Sequence, residues 1–160
     1  MSFFDKAKKF LGMNTIELSL EAQPTFLVTD RTVTGIIKMK GVSDQVIKSV
    51  ILEFYRESDY THRDSEGYES SRTKKTPMGK IQVNAPSSIS KDEEIQLPFE
   101  VPFFYEKTFS ERMKEKDGMV GRMFKHAEDS FTRDEFLLTV KIDLANVALD
   151  PSQTVKIMRV

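Results

Sequence analysis

Few residues of this 160-residue chain have the types and spacing that could carry chemistry. The two histidines, His62 and His126, belong neither to an HExxH motif nor to another paired-ligand spacing. Cysteine is absent, which excludes thiolate catalysis, disulfide bonds and Cys-ligated zinc. A metal site would therefore need several carboxylates that only the fold could bring together. We expect surface or packing roles for both histidines, and no metal or other cofactor.

Nucleophilic and phosphate-binding motifs are missing as well. No G-x-S-x-G segment places a serine on a strained turn, and the seven glycines form neither a P-loop nor a GxGxxG motif. The carboxylate pairs Glu93-Glu94 and Asp134-Glu135 stand at the starts of predicted strands, where solvated charge is their usual role. The sequence therefore predicts a protein that is not an enzyme. A metal-dependent enzyme is an alternative for which no ligand set is visible.

Composition limits the classes of partner. The 24 basic and 25 acidic residues give a net charge of −1, which argues against nucleic acid because phosphate binding needs an excess of basic residues. No apolar run approaches the roughly 18 residues of a membrane-spanning helix. Lys6, Lys8 and Lys9 interrupt the apolar residues at the N-terminus, so no signal peptide is expected. We expect a cytoplasmic protein.

Strict alternation of apolar and polar residues predicts β-strands along most of the chain. The predicted strands are residues 16–22, 33–40, 46–55, 80–85, 95–103 and 135–144. Residues 46–55 are apolar on both faces, as in a central strand. Pro98 and Pro102 indicate a strand that is either at an edge or irregularly paired, because proline cannot donate a hydrogen bond to a ladder. Several strands in succession with few helices predict an antiparallel β-sandwich.

The N-terminal residues 1–13 are predicted to form a short amphipathic helix. Within residues 3–11, its aromatic residues are Phe3, Phe4 and Phe10 and its basic residues are Lys6, Lys8 and Lys9. Burial of three phenylalanine side chains could contribute about 5 kcal/mol before ordering costs, so this helix could hold the chain at a membrane surface. We favour docking on the sandwich instead, because a single helix of about nine residues is a marginal anchor.

Two further segments interrupt the alternation. Residues 56–76 are polar and predict a long hairpin with its tip near residues 64–67. Residues 105–133 predict a helical insert with an apolar stripe that includes Met119, Met123 and Phe124. This stripe is either a lid on the sandwich or an adaptable protein-binding surface, since methionine side chains repack easily.

The succession of these segments resembles a known family. The segments are "SFF", "IELSLEAQPTFLVTDRTVTGIIKMKG", "VIKSVILEFYRE", "EEIQLPFEVPF" and "LTVKIDLANVALDPSQTVKIMRV". They resemble the N-terminal domain of the bacterial arrestin-like sporulation-control family (the stage-zero M proteins). The most specific part is the strand that runs into Ala-Leu-Asp-Pro and is followed by a short final strand. Members of that family usually continue into a second sandwich.

The resemblance implies the fold and, more broadly, the kind of function. It implies one immunoglobulin-like (arrestin-like) all-β sandwich domain over residues 1–160, with the N-terminal helix and the helical insert attached. It also implies a non-catalytic regulatory or scaffolding protein. We expect protein partners, of unidentified nature, to add a strand at exposed sheet edges. The predicted edges are the strand that contains Ile37 and Met39 and the terminal strand that contains Val155 and Ile157. Such edges could also join copies of this chain, and weak membrane contact through residues 3–11 is the alternative.

Overall fold

The computed structural model describes residues 15–63, 65–106 and 133–160. These residues form ten strands: β1 (Ile16–Ala22), β2 (Thr25–Phe26), β3 (Thr32–Gly41), β4 (Gln45–Arg63), β5 (Glu69–Val83), β6 (Ser88–Ile89), β7 (Glu94–Pro102), β8 (Arg133–Leu144), β9 (Ser152–Lys156) and β10 (Met158–Arg159). No helix lies in these ranges. The predicted N-terminal helix, and all of the predicted insert except its first two residues and its last, lie outside them.

Two antiparallel sheets carry the fold. The smaller sheet has the strand order β1-β3-β7, and the larger has the order β5-β4-β8-β9, with β6 beside the start of β4. A short parallel pair joins β2 and β10. At the borders of the two sheets, β1 lies close to β9 and β5 lies close to β7. The predicted antiparallel β-sandwich is therefore confirmed.

The core lies between the two sheets, where the apolar side of each alternating strand meets the other sheet. The larger fully buried side chains of the described residues are Phe26, Ile37, Leu52, Phe54, Ile89, Leu138, Ile142 and Ile157, with Val33, Val50, Val101 and Val140. Each such side chain contributes roughly 1.5–3 kcal/mol through its removal from water. A shift of one residue in any strand would expose its whole apolar set, so this burial fixes the register.

Phenylalanine rings fill one end of the core. Phe26 packs edge to face against Phe54, Phe103 and Phe136, with ring centroids 5.3, 5.6 and 4.9 Å away. This geometry brings the positive edge of one ring against the negative face of the next. The short strand β2 carries Phe26, so this ring anchors the β2–β10 pair to the larger sheet and to the residue that follows β7.

The strands β4 and β5 form the predicted long hairpin, and β4 is the predicted central strand, paired with β5 and β8. The turn after β4 includes Gly67, whose φ of 87° is readily adopted only by glycine. A β-bulge between Phe54 and Tyr55 shifts the register halfway along the hairpin. Beyond the bulge, residues 69–75 of β5 are all exposed, so this half of the hairpin is an arm that protrudes from the sandwich.

The strand β7 is an edge of the smaller sheet, which is one of the two arrangements that its prolines indicated. The N–H of Phe103 donates to the carbonyl of Arg31, and the N–H of Gly41 donates to the carbonyl of Glu93, both at 2.9 Å. Because backbone groups alternate in direction along a strand, the odd-numbered residues of β7 face β3. Pro98 and Pro102 therefore face away from the ladder, where no N–H is needed.

The prediction that the strand carrying Ile37 and Met39 is an exposed edge was wrong. This strand is β3, which pairs with β1 on one side and with β7 on the other. Ile37 is fully buried and Met39 is 2% exposed. The physical reason is that alternation reports which face of a strand is buried, but it does not report how many neighbours the strand has.

Candidate partner-binding edges

The predicted surface residues fall into three groups. Ile37 and Met39 lie in the core on the central strand β3, so they offer no surface. Val155 is half-buried on the edge strand β9, and Ile157 is buried between β9 and β10. The third group lies outside the described residues, and the predictions about it stay predictions: Phe3, Phe4, Lys6, Lys8, Lys9, Phe10, Met119, Met123 and Phe124.

The backbone direction in β9 follows from two hydrogen bonds at its ends. The N–H of Ile157 donates to the carbonyl of Phe136 at 2.9 Å, and the N–H of Ile142 donates to that of Pro151 at 3.0 Å. The odd-numbered residues of β9, including Val155, therefore face β8 with their backbone groups. Val155 is thus part of the ladder rather than of the free edge. The outward-facing backbone groups belong to Ser152, Thr154 and Lys156.

The same alternation determines the outer edge of β5. Since Ile142 faces β9, the odd-numbered residues of β8 face β4, and the register pairs them with odd-numbered residues of β4. The even-numbered residues of β4 therefore face β5, as in the pair of Ser58 with Lys74. The outward-facing backbone groups of the arm belong to Ser71, Thr73 and Lys75. Pro77 is also odd-numbered and therefore faces away from β4, which fits because proline has no N–H to donate to the ladder.

The base of this edge is covered. The N–H of Phe104 donates to the carbonyl of Met78 at 3.0 Å, so the chain after β7 lies along β5 at this point. A Cβ added at Gly79 would collide with the backbone carbonyl of Pro102, which shows how closely the two segments approach. The open length of β5 therefore extends over residues 69–76, and Pro77 marks its end.

The two faces of the arm differ in charge. One face carries Glu57 and Asp59 of β4, and Asp59 accepts a hydrogen bond from the hydroxyl of Thr73 at 2.8 Å. Lys75, on this same face, forms an ion pair with Glu53 and lies 4.3 Å from the centre of the Tyr55 ring. Carboxylates therefore outnumber cations on this face.

The opposite face of the arm is basic. It carries Arg72 and Lys74 two residues apart on β5, and paired residues of neighbouring strands share a face. Neither side chain forms an ion pair or hydrogen bond with the described residues. The hydroxyl of Ser58, which pairs with Lys74, donates to Asp134 at 2.6 Å. Asp134 lies two strands from Lys74, about 10 Å away.

The Glu53 carboxylate raises the pKa of Lys75 above its ordinary value of 10.5, chiefly by accepting a hydrogen bond from the ammonium group. Burial opposes this shift, while the negative charges of Glu53 and Glu57 and the Tyr55 hydroxyl add to it. Lys75 is therefore cationic at physiological pH and is held toward β4, away from the basic face.

A buried cation at the base of the arm was not predicted. Arg56 is 3% exposed, and its guanidinium lies against both the Tyr105 and the Phe136 ring, 4.6 and 5.2 Å from their centres. Arg159 of β10 stacks on the same Tyr105 ring at 5.7 Å and donates to its hydroxyl. These stacked groups tie β4, β8 and β10 to the segment after β7. The sequence carried no signal for it, because Arg56 only ends an apolar run.

Residues that could bind a metal do not converge in the described ranges, where no group of three or more His, Asp or Glu side chains is placed to hold an ion. A helix with the length and apolarity needed to cross a membrane is not found among the described residues.

The strand order and the packing of two antiparallel sheets define an all-β sandwich. Among solved structures, the chain is similar to Spo0M, a sporulation control protein from Bacillus subtilis, with a TM-score of 0.60 and 16% sequence identity. The match covers 91% of this chain and 48% of that one, so this chain spans about half the length of Spo0M. The resemblance inferred from the sequence is confirmed at the level of the fold. No protein-family model and no curated protein matches the chain.

Proposed function

We propose that this chain is a non-catalytic interaction protein of the cytoplasm that binds other proteins through the free edges of its larger sheet. The observation that carries the proposal is the direction of the backbone groups in β5 and β9. Both strands lie at the border of the sheet, and alternate N–H and C=O groups point outward from each. An extended partner segment gains main-chain hydrogen bonds at such an edge, and the side chains beside it supply specificity.

The fold supports a regulatory role by analogy only. Spo0M is a sporulation control protein, and we propose that this chain likewise acts in the regulation of cell state in a bacterium. Near-neutral charge and the absence of cysteine fit an intracellular protein that binds proteins rather than nucleic acid.

The test is affinity capture with variants that differ only at the outward-facing N–H groups. Thr73→Pro and Thr154→Pro each remove one outward donor, whereas Thr73→Val and Thr154→Val keep the donor and the shape of the side chain. We expect the immobilised wild-type and valine forms to retain a defined set of proteins from a lysate of the source organism. The proline forms should lose that set while they keep the far-ultraviolet circular dichroism of the wild type.

Two results would contradict the proposal. One is a retained protein set that is the same for the proline and valine forms, since binding would then not use the edges. The other is catalytic activity of the purified chain on any substrate, since the protein would then be an enzyme. A form that lacks residues 1–13 should retain the same partners, because the edges lie within the sandwich.

A further inference from the structure

The arm formed by residues 69–76 of β5 combines an open backbone edge with a one-sided basic surface. Ser71, Thr73 and Lys75 direct their backbone groups outward, whereas Arg72 and Lys74 direct theirs to β4 and extend their side chains on the basic face. Any strand that pairs with this edge would place alternate side chains directly opposite Arg72 and Lys74. We propose that this edge binds an extended protein segment that carries two carboxylates at positions i and i+2.

The spacing of the carboxylates follows from strand geometry. Arg72 and Lys74 lie two residues apart, which is about 7 Å along a strand. Side chains at i and i+2 of an added strand share one face at the same spacing, so both carboxylates would meet a cation. In an antiparallel pairing, the positions opposite Arg72 and Lys74 are the non-hydrogen-bonded ones, where facing side chains come closest.

Charge complementarity favours a segment whose two carboxylates both lie on the basic face of the arm. Arg72 and Lys74 have no ion pair with the described residues, and the carboxylate of Asp134 lies two strands away beside the Ser58 hydroxyl. On the other face, Ser71 and Thr73 offer hydroxyl groups, and Lys75 is held by Glu53. A segment with adjacent carboxylates would turn one of them toward the acidic face, which already carries Glu57 and Asp59.

This inference rests on the proposed function, because it names the chemistry of a partner for one of the two edges. The probe is an acetylated and amidated peptide, Thr-Glu-Thr-Glu-Thr-Val-Thr. Its matched control, Thr-Glu-Glu-Thr-Thr-Val-Thr, has the same composition and charge but adjacent carboxylates. A third peptide has the first sequence with methyl groups on alternate backbone nitrogens, which removes the donors that a β-ladder needs.

Binding is measured by nuclear magnetic resonance titration of the 15N-labelled full chain. We expect the first peptide to shift the amide signals of Ser71, Thr73 and Lys75. The control peptide should bind about fivefold more weakly, as the loss of one or two exposed charge pairs implies. The methylated peptide should bind about tenfold more weakly or not at all. The double variant Arg72→Gln and Lys74→Gln should remove the preference for the first peptide.

Each contrary result overturns the inference. Equal affinity for the first two peptides excludes the i and i+2 arrangement, and equal affinity for the methylated peptide shows charge attraction without strand addition. Shifts confined to another surface place the site elsewhere. A concentration-dependent dimer that Thr73→Pro abolishes would assign this edge to a second copy of the chain. If no peptide binds while lysate partners still depend on the sheet edges, the proposed function stands and this inference fails.

Discussion

Neighbouring residues of β9 should respond very differently to proline. The backbone N–H of Val155 faces β8, whereas that of Thr154 points away from the sheet. Val155→Pro therefore removes a donor from the ladder, and Thr154→Pro does not. Both residues lie in the same short strand, so the ring restricts the backbone φ to a similar extent in each variant.

The expected difference can be worked out from the groups that lose a partner. Val155→Pro leaves the carbonyl of Leu138 without its donor in a place where the Leu138 side chain is fully buried, which costs about 1–3 kcal/mol. Thr154→Pro loses the contact between the hydroxyls of Thr154 and Thr139, which are 2.8 Å apart, and this costs about 0.5–1.5 kcal/mol. Val155→Pro should therefore lower the free energy of unfolding by about 0.5–1.5 kcal/mol more than Thr154→Pro does.

Urea unfolding followed by circular dichroism measures this difference. With an m value of about 2 kcal/mol/M, the two midpoints should differ by about 0.25–0.75 M. Thr154→Val and Val155→Ala control for the lost hydroxyl and for the lost methyl groups. If Thr154→Pro proves as destabilising as Val155→Pro after these corrections, then the alternation assigned to β9 is wrong. The proposed edges of β9 and β5 would fall with it, because both follow from the same hydrogen-bond parity.

Three further predictions concern the stability of the sandwich. Gly35→Ala should lower the free energy of unfolding by about 1–3 kcal/mol, because the added Cβ would lie 2.6 Å from the Phe99 ring and closer still to a backbone carbonyl. A urea midpoint equal to that of the wild type would contradict this close approach. Phe26→Ala should lower the free energy of unfolding by about 3–5 kcal/mol. Leu27, at the adjacent position, is 49% exposed, so Leu27→Ala should change it by less than about 0.5 kcal/mol. Similar thermal unfolding of the two variants would show that Phe26 does not anchor β2. The folded-state pKa of Lys75 is raised, so the contribution of Lys75 to stability should be present below its ordinary pKa of 10.5 and should disappear as the pH rises through the folded-state pKa. The difference in the free energy of unfolding between the wild type and Lys75→Met, measured in urea at rising pH, should therefore shrink above pH 10.5. A difference that grows above this pH would contradict the raised pKa.

Much of the strand content could be predicted from local pattern. The alternation over residues 135–144 matched β8, and the polar run at residues 56–76 matched the arm of the β4–β5 hairpin. Pro98 and Pro102 indicated that β7 is either an edge strand or irregularly paired, and the first of these is confirmed. These features could be predicted because a buried face, a turn residue or a missing N–H acts within a few residues of the chain.

Strand neighbours could not be predicted in the same way. The apolar faces of the strands with Ile37 and with Val155 look alike in the sequence, yet the first strand is central and the second is an edge. The chain after Pro151 was expected to form one strand, but it divides at the buried Ile157 into β9, paired with β8, and β10, paired with β2. The pairing of β10 with β2 joins segments that lie far apart in the chain, so no local pattern reports it.

The sequence by itself determined the all-β class, the buried side of most strands and the positions where strands turn or end. It did so because side-chain alternation and backbone restrictions are local properties. Only the tertiary structure decided that β3 is central, that β5 and β9 lie at the borders, and which backbone groups point outward. It also brought Arg72 and Lys74 onto one open face and placed Arg56 against two aromatic rings. These arrangements depend on long-range pairing and on the packing of one sheet against the other, which no short segment of the chain specifies.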